Sequence, residues 1–261
     1  MTQYLPYRHN FLKTIGDVRR LLVIVAMKSE EDALLGGLEF TEAVIGKRSK
    51  VDLKEFQLPR CQVMVARSGV GLVNGAILMT QIAEHRSIDA VVLLGVGGAL
   101  DKKLQVGDVI ISNQVIQHDS LLSGDGERRL IAPGELTLSA APDKQVDPVM
   151  RCDSVLVAWA ANSLGGDRVF IGTLLSGSEF AANAARKAQL RALAPDALVV
   201  DMEAAAIAQI ARRMEVPFVA IKTVADRAEP GSSISDDYSR FLKAATEHGS
   251  AVLRGLLESF G

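Results

Sequence analysis

The sequence has few cysteines and no excess of one charge. Only Cys61 and Cys152 occur among 261 residues, and neither has a metal-like or redox-like partner nearby, which favours a reducing cytoplasm over a disulfide-stabilised secreted protein. The 29 Lys and Arg residues are scattered among 31 Asp and Glu residues, so the sequence lacks the clustered basic surface that binds nucleic acids. We therefore predict no nucleic-acid partner.

Long apolar runs are also missing. The longest, such as residues 21–27 and 90–94, fall far short of the roughly 20 apolar residues that span a bilayer, so we predict no membrane segment. Residues 1–20 contain charges and lack the apolar stretch of a secretory signal, which again favours the cytoplasm. Since no linker divides the chain, we interpret residues 1–20 as an N-terminal arm and residues 21–261 as a single domain.

The remaining chain alternates strand-like with helix-like segments. Apolar runs predict strands over residues 21–26, 61–66, 89–94, 109–117, 169–175, 198–202 and 218–224. Helical periodicity predicts helices near residues 72–85, 149–163, 183–193, 203–214 and 236–259. Residues 121–147 show no sustained period and are interpreted as a long loop or flap. The alternation predicts an α/β fold whose sheet is covered on both faces, with its site at the strand ends.

Acidic residues at predicted strand and helix ends are the main candidates for chemistry. Glu203 begins a predicted helix on its apolar face, so it is either a helix-terminal acid or a ligand contact. Asp226 follows an apolar strand, where it could meet a ligand or cap a turn. Glu30 and Glu31 follow the first strand and pose the same choice, which allows one to face the cleft and the other solvent.

Other short motifs exclude several kinds of site. The run Gly95-Val96-Gly97-Gly98 follows a predicted strand and would let a ligand approach the backbone, but it lacks the dinucleotide-binding spacing. The pair His118-Asp119 has no second His or Cys at ligand spacing, so a structural role is favoured over a metal site. The segment 176–180 is not the nucleophile elbow of hydrolases.

The order and spacing of these motifs resemble the nucleoside phosphorylase and nucleosidase superfamily, most of all the 5′-methylthioadenosine/S-adenosylhomocysteine nucleosidases, over residues 21–258. The segments that carry the resemblance are Ala26-Met27 with Glu30, Arg67-Ser68-Gly69-Val70-Gly71, residues 95–98, Leu104-Gln105-Val106-Gly107-Asp108, His118-Asp119, Ser176-Gly177 with Phe180, Asp201-Met202-Glu203-Ala204-Ala205-Ala206, and Val224-Ala225-Asp226. The resemblance implies a three-layer α/β/α domain with a central mixed sheet, usually a homodimer, that binds a small-molecule nucleoside and requires no metal or organic cofactor.

By the same resemblance, each candidate has an implied role. Asp226 would hold the adenine and protonate its N7, and Glu30 would position and activate the attacking water. Glu203 and Met202 would bind the ribose, and Phe180 would stack on the base. This division suits glycosidic cleavage, because the oxocarbenium-like transition state needs an acid at the leaving group and a base at the water.

Some positions depart from the family pattern. Val96 and Gly97 lie in the loop implied to contact ribose or water, but Val96 replaces the usual serine. Lys222 replaces an arginine that helps to orient the water and the ribose-binding acid, and lysine is not an equivalent donor. Ser178 stands where an aspartate is usual, and Ala225 where a serine often precedes the catalytic acid.

The segment after the first strand favours hydrolysis over phosphorolysis. Residues 26–30 stand where bacterial hexameric phosphorylases carry a phosphate-binding Gly-Asp-Pro-x-Arg motif, and a glutamate there would repel phosphate but could hold water. We therefore predict an N-glycosidase that releases adenine from nucleosides of the methylthioadenosine or S-adenosylhomocysteine type. The alternatives are a nucleosidase for futalosine-type or adenosylhopane-type nucleosides, a purine nucleoside phosphorylase, and a nucleoside-binding protein without turnover.

Overall fold

The computed structural model describes residues 12–124, 127–134, 147–226, 257–258 and 260. Its helices are α1 (Lys28–Leu35), α2 (Leu72–His85), α3 (Ser154–Leu164), α4 (Ala184–Leu193) and α5 (Ala204–Arg213). Its strands are β1 (Arg20–Val25), β2 (Thr41–Ile45), β3 (Val51–Gln57), β4 (Gln62–Arg67), β5 (Ala90–Ala99), β6 (Val109–Gln117), β7 (Leu121–Gly124), β8 (Glu127–Leu130), β9 (Val149–Arg151), β10 (Val169–Ser176), β11 (Ala197–Asp201) and β12 (Phe218–Asp226). Almost all of the predicted helix 236–259 lies outside the described residues.

Ten of these strands form one mixed sheet in the order β11-β10-β6-β12-β5-β1-β4-β3-β2, with β9 beside β6. Strand β1 is parallel to both β4 and β5, whereas β12 is antiparallel to β6. Strand β11 pairs with β5 as well as with β10, so β11, β10, β6, β12 and β5 form a closed ring. The prediction of an α/β fold with a central mixed sheet is confirmed.

Side chains of β1 alternate between two cores. Leu22 and Ile24 pack with apolar residues of α2 and α5, and Leu21, Val23 and Val25 pack with those of α1 and α3. Since helices cover both faces, the strand is apolar without interruption from Leu21 to Val25, as in other buried parallel strands. In the described part of the chain, no helix is long and apolar enough to cross a membrane.

Two hairpins were not predicted. Strands β2 and β3 form an antiparallel pair at the edge of the sheet, where most of their side chains are half-buried or exposed and the sequence carries many charges. Strands β7 and β8 form a second antiparallel pair inside the segment 121–147. The interpretation of that whole segment as a loop is therefore wrong for residues 121–124 and 127–130, because cross-strand hydrogen bonds order short strands that carry no periodic signal.

Two boundaries also differ from the prediction. Residues 149–151 form β9 rather than the start of a helix, and α3 begins at Ser154 because the Asp153 carboxylate accepts hydrogen bonds from the amides of Val155 (2.9 Å) and Leu156 (3.0 Å). The glycine run 95–98 lies inside β5 rather than in a loop after it, because β12 and β11 both pair with this part of the strand.

Candidate active site

A cavity of about 690 Å³ opens at the carboxyl ends of β1, β5, β11 and β12, which is the usual position for a ligand site in an open α/β sheet. Glu30, Glu203 and Asp226 all face this cavity, although they are far apart in sequence. The residues that line it are Ala26, Met27, Glu30, Val70, Val96, Gly97, Gly98, Glu179, Phe180, Ala181, Val200, Asp201, Met202, Glu203 and Asp226.

Glu30 is held by the turn between β1 and α1. Its Oε2 accepts hydrogen bonds from the amides of Ala26 (2.9 Å) and Met27 (2.8 Å), and its Oε1 accepts one from the amide of Val96 (3.1 Å). Burial raises the pKa of Glu30 above its usual value, although Lys222 and the three amides act in the opposite direction. A fixed carboxyl group with a raised pKa is suited to general-base chemistry near neutral pH.

Glu31 does not face solvent. Its side chain is 3% exposed, with its carboxylate 3.0 Å from Lys54 Nζ and 3.4 Å from Arg67 Nε. The expectation that one member of the pair could face solvent is wrong, because ion pairs to β3 and β4 replace water around this carboxylate. Glu31 joins α1 to the sheet, and Glu30 alone of the two reaches the cavity.

Glu203 lies at the N-cap position of α5. Its Oε1 accepts a hydrogen bond from the amide of Gly71 (2.9 Å), and its Oε2 lies 3.8 Å from Lys222 Nζ. Lys222 Nζ lies nearer to Asp201 Oδ2, at 2.8 Å, and the Asp201 carboxylate also accepts a hydrogen bond from the amide of Ala204. The turn from β11 into α5 therefore brings two carboxylates to one buried ammonium.

This cluster holds more acids than cations. Burial lowers the pKa of Lys222, but attraction to Asp201, Glu203 and Glu30 outweighs burial and raises it above the usual value. Burial raises the pKa of Glu203 to about 7. The attraction of Lys222 lowers this pKa, whereas repulsion from Asp201 and Glu30 raises it further. One ammonium does not neutralise three carboxylates, so Glu203 can hold a proton close to neutral pH.

Asp226 is the last residue of β12 rather than a turn residue. Its Oδ1 accepts a hydrogen bond from Lys187 Nζ of α4, and the same Nζ lies 3.5 Å from the main-chain oxygen of Asp226. Both side chains are buried, with Asp226 3% and Lys187 5% exposed. The carboxylate at this end of the cavity thus has a cation of its own.

Glycines in β5 let these carboxylates approach the sheet. A Cβ atom at Gly95 would lie 2.7 Å from Glu30 Oε1, and one at Gly98 would lie 2.9 Å from Asp226 Oδ2. Real Cβ atoms essentially never lie so close to a neighbouring atom, so both positions exclude a larger residue unless the acids move. The sequence predicted that a ligand would approach the backbone of these glycines, and in the structure two of the protein's own carboxylates do so.

The other predicted contact residues take different positions. Phe180, Met202, Val96 and Gly97 line the cavity, and the Phe180 side chain is 42% exposed. Lys222 is 1% exposed and lies behind Asp201 and Glu203 rather than among the lining residues.

The pair His118-Asp119 supports the loop that carries Phe180. Asp119 Oδ2 accepts a hydrogen bond from the amide of Ser178 (2.7 Å), and the fully buried His118 packs under Gly177. Burial lowers the pKa of His118. Among the residues that the structure describes, no group of three or more His, Cys, Asp or Glu side chains is arranged to hold a metal ion; that the protein needs neither metal nor organic cofactor stays a prediction.

Two charged residues of the site were missed in the sequence. Glu179 lines the cavity and is held by Arg186, whose Nε lies 2.9 Å from Glu179 Oε1. Lys187 carried a usable signal, because it lies three residues before Leu190 on the buried face of α4. A lysine on a buried helix face needs a partner, but the sequence does not say which acid it meets.

Comparisons with known proteins identify the family of the chain. The model of the Phosphorylase superfamily matches residues 20–258. The 5′-methylthioadenosine/S-adenosylhomocysteine nucleosidase of Marinomonas sp. (strain MWYL1) is 31% identical over 238 residues, which cover 86% of this chain and 97% of the relative. The enzyme of the same name from Bacillus subtilis (strain 168) is 31% identical over 234 residues, which cover 90% of this chain and 96% of the relative.

Solved structures are similar over nearly the same length. The nucleosidase from Neisseria meningitidis in complex with methylthio-immucillin-A has a TM-score of 0.75 and 29% identity, covering 93% of this chain and all of that chain. The futalosine hydrolase of Helicobacter pylori strain 26695 has a TM-score of 0.75 at 22% identity, covering 93% of this chain and 98% of that chain, a likeness of fold alone. The chain belongs to the 5′-methylthioadenosine/S-adenosylhomocysteine nucleosidase family of the phosphorylase superfamily.

Proposed function

We propose that this protein hydrolyses the N-glycosidic bond of 5′-modified adenine nucleosides, of the methylthioadenosine and S-adenosylhomocysteine type, and releases adenine. The observation that carries the proposal is the meeting of Glu30, Glu203 and Asp226 on one cavity of about 690 Å³, large enough for a small-molecule ligand. Relatives that carry the nucleosidase name at 31% identity support the same reaction.

Asp226 serves the leaving base in this proposal. It lies beside Gly98 and lines the same cavity as Phe180, so a purine stacked on Phe180 can present N7 to the carboxyl group. Protonation of N7 lets the purine leave as neutral adenine when the bond to ribose breaks. General-acid catalysis of this kind contributes about 10²- to 10⁴-fold to a rate.

Glu30 and Glu203 serve the sugar and the water. Glu30, fixed by backbone amides, takes a proton from the water that attacks the anomeric carbon. Glu203 accepts hydrogen bonds from the ribose hydroxyls, with Met202, Val96 and Gly97 packing against the sugar. Carboxylates near the ring also stabilise the positive charge that develops on it in the transition state.

The cavity favours water over phosphate as the attacking group. None of the described residues that line it is Lys or Arg, and its polar lining consists largely of carboxylates. Lys222 lies behind Asp201 and Glu203 and is already surrounded by acids. A phosphate ion would therefore enter a site of its own charge sign, which costs free energy.

Adenine release is the direct test. The pure protein is incubated with methylthioadenosine, with and without phosphate, and free adenine is followed. We expect equal rates in both buffers; strict dependence on phosphate would establish a phosphorylase, and absence of turnover with nucleoside bound would establish a binding protein. A panel of 5′-modified nucleosides that includes futalosine then tests the alternative suggested by the fold shared with futalosine hydrolase.

We also propose that the protein is a homodimer in the cytoplasm. Val70, Val73 and Ile77 form an exposed apolar patch on and before α2, and Val70 also lines the cavity. Contiguous exposed apolar residues beside a site are typical of a protein interface, and a second copy of the chain is the proposed partner. Sedimentation of the wild-type protein and of Val73→Asp tests this assembly.

Cys61 and Cys152 are both free thiols, in keeping with a reducing compartment.

A further inference from the structure

Lys187 is a buried charge to which the proposed reaction assigns no task. It is 5% exposed, lies on the same face of α4 as Leu190, and does not line the cavity. Removing an ammonium group from water is costly unless a partner compensates, and its partner here is Asp226. The helix thus places a cation directly behind the residue proposed to serve the leaving base.

The contacts of the pair fix the Asp226 carboxyl group. Lys187 Nζ donates to Oδ1 and lies near the main-chain oxygen of the same residue. Gly98 packs against both partners, since a Cβ atom there would lie 2.9 Å from Asp226 Oδ2 and 3.1 Å from Lys187 Nζ. The carboxyl group is therefore held between an ammonium and the β5 backbone, with the cavity in front of it.

This arrangement bears on the source of the proton. A carboxyl group that protonates a purine must carry a proton at that moment, so it needs a proton donor of its own. Lys187 Nζ, which does not line the cavity, donates a hydrogen bond to Asp226 Oδ1 and is a donor within reach. We propose that Lys187 is a positioning residue that orients Asp226 and supplies the proton which Asp226 passes to the leaving base; this inference rests on the proposed hydrolysis.

The transfer balances in protons and electrons. One Nζ–H proton moves to the Asp226 carboxylate, and the carboxyl group gives a proton to N7 of the purine. The C1′–N9 bond breaks, its electron pair goes to the purine, and neutral adenine leaves. Water adds to C1′ and loses a proton to Glu30. Lys187 is left as a neutral amine and Asp226 as a carboxylate, and solvent restores both Lys187 and Glu30 after the products depart.

The test compares Lys187→Met and Lys187→Gln with the wild-type enzyme. Glutamine can still donate a hydrogen bond to Asp226 but has no ionisable proton, so it separates orientation from proton supply. We expect both variants to lose about 100-fold in kcat for adenine release from methylthioadenosine, within the range of general-acid catalysis, while KM changes less than about threefold. Arg191→Met, which removes another cation from α4, is the matched control and should keep wild-type kcat.

A double variant separates this role from a general effect on the fold. If the two residues act as one unit, Lys187→Met combined with Asp226→Asn should be no slower than Asp226→Asn alone. A further loss of about 100-fold in the double variant would overturn the inference, as would wild-type kcat in Lys187→Gln. A wild-type protein that releases no adenine would instead refute the proposed function, so the two failures are distinct.

Discussion

The two ends of the cavity use the same residue types in different proportions. At the crowded end, Asp201, Glu203 and Glu30 surround the ammonium of Lys222, and at the paired end, Lys187 donates a hydrogen bond to Asp226. Where carboxylates outnumber cations, as around Glu203, burial and repulsion raise the pKa of a carboxyl group, whereas at the paired end an ammonium donates directly to the carboxylate. Different environments of this kind allow the carboxyl groups of one active site to act in different acid and base roles.

The largest expected effect comes from removing the acid at the paired end. Asp226→Asn keeps the shape of the side chain but cannot pass a proton to the base, so we expect kcat for adenine release to fall by about 10³-fold or more. Nucleoside binding, measured by calorimetry, should remain within about tenfold of wild type, because the amide can still contact the purine.

The surface variant Asp196→Asn is the control for this change and should behave as wild type. Turnover at the wild-type rate in Asp226→Asn would refute the assigned role and leave the two ends without a functional difference.

Burial explains which strands could be predicted. The apolar run 21–26 predicted β1 within one residue because helices cover both faces of this strand. The edge strand β2 and its neighbour β3 were missed because most of their positions are exposed or half-buried, and their charged side chains resemble those of a loop. Edge pairing is set by neighbours far away in sequence.

The acids of the site could be predicted from the sequence, but their cationic partners could not. Acids at the ends of apolar strands could be identified in sequence, and the structure places Glu30, Glu203 and Asp226 on one cavity. Their cations could not be assigned, because the contact of Lys187 with Asp226 depends on how α4 packs against the end of β12. The unequal ratio of acids to cations is thus a property of the fold rather than of any motif.

Removing the cation from the crowded end should destabilise the protein. Lys222→Met would leave buried carboxylates without their ammonium, so we expect a loss of about 3 kcal/mol in the free energy of unfolding, measured with urea. Lys28→Met, which breaks the exposed pair with Asp32, should cost less than about 1 kcal/mol. Adding Asp201→Asn to Lys222→Met should restore part of the stability. If Lys222→Met lost no more unfolding free energy than the control Lys28→Met, the crowded end would not depend on its cation.

The smallest expected effect is a pH dependence of stability from Glu203. Burial raises the pKa of this carboxyl to about 7 in the folded protein, whereas an ordinary glutamate titrates near 4.5. At a pH below both pKa values, Glu203 is protonated in the folded and in the unfolded protein alike. As the pH rises from 4.5 to 7, the unfolded chain releases its proton first, so the folded state binds more protons and the free energy of unfolding decreases.

Glu203→Gln isolates this contribution, because glutamine resembles the protonated acid and does not titrate. Between pH 5 and pH 7, we expect the unfolding free energy of wild type, measured relative to Glu203→Gln by urea denaturation, to fall by about 1 to 2 kcal/mol. Glu39→Gln, at an exposed position, should show no such trend relative to wild type. A constant difference between wild type and Glu203→Gln across this range would mean that Lys222 neutralises Glu203 fully, and the crowded end would then resemble the paired one.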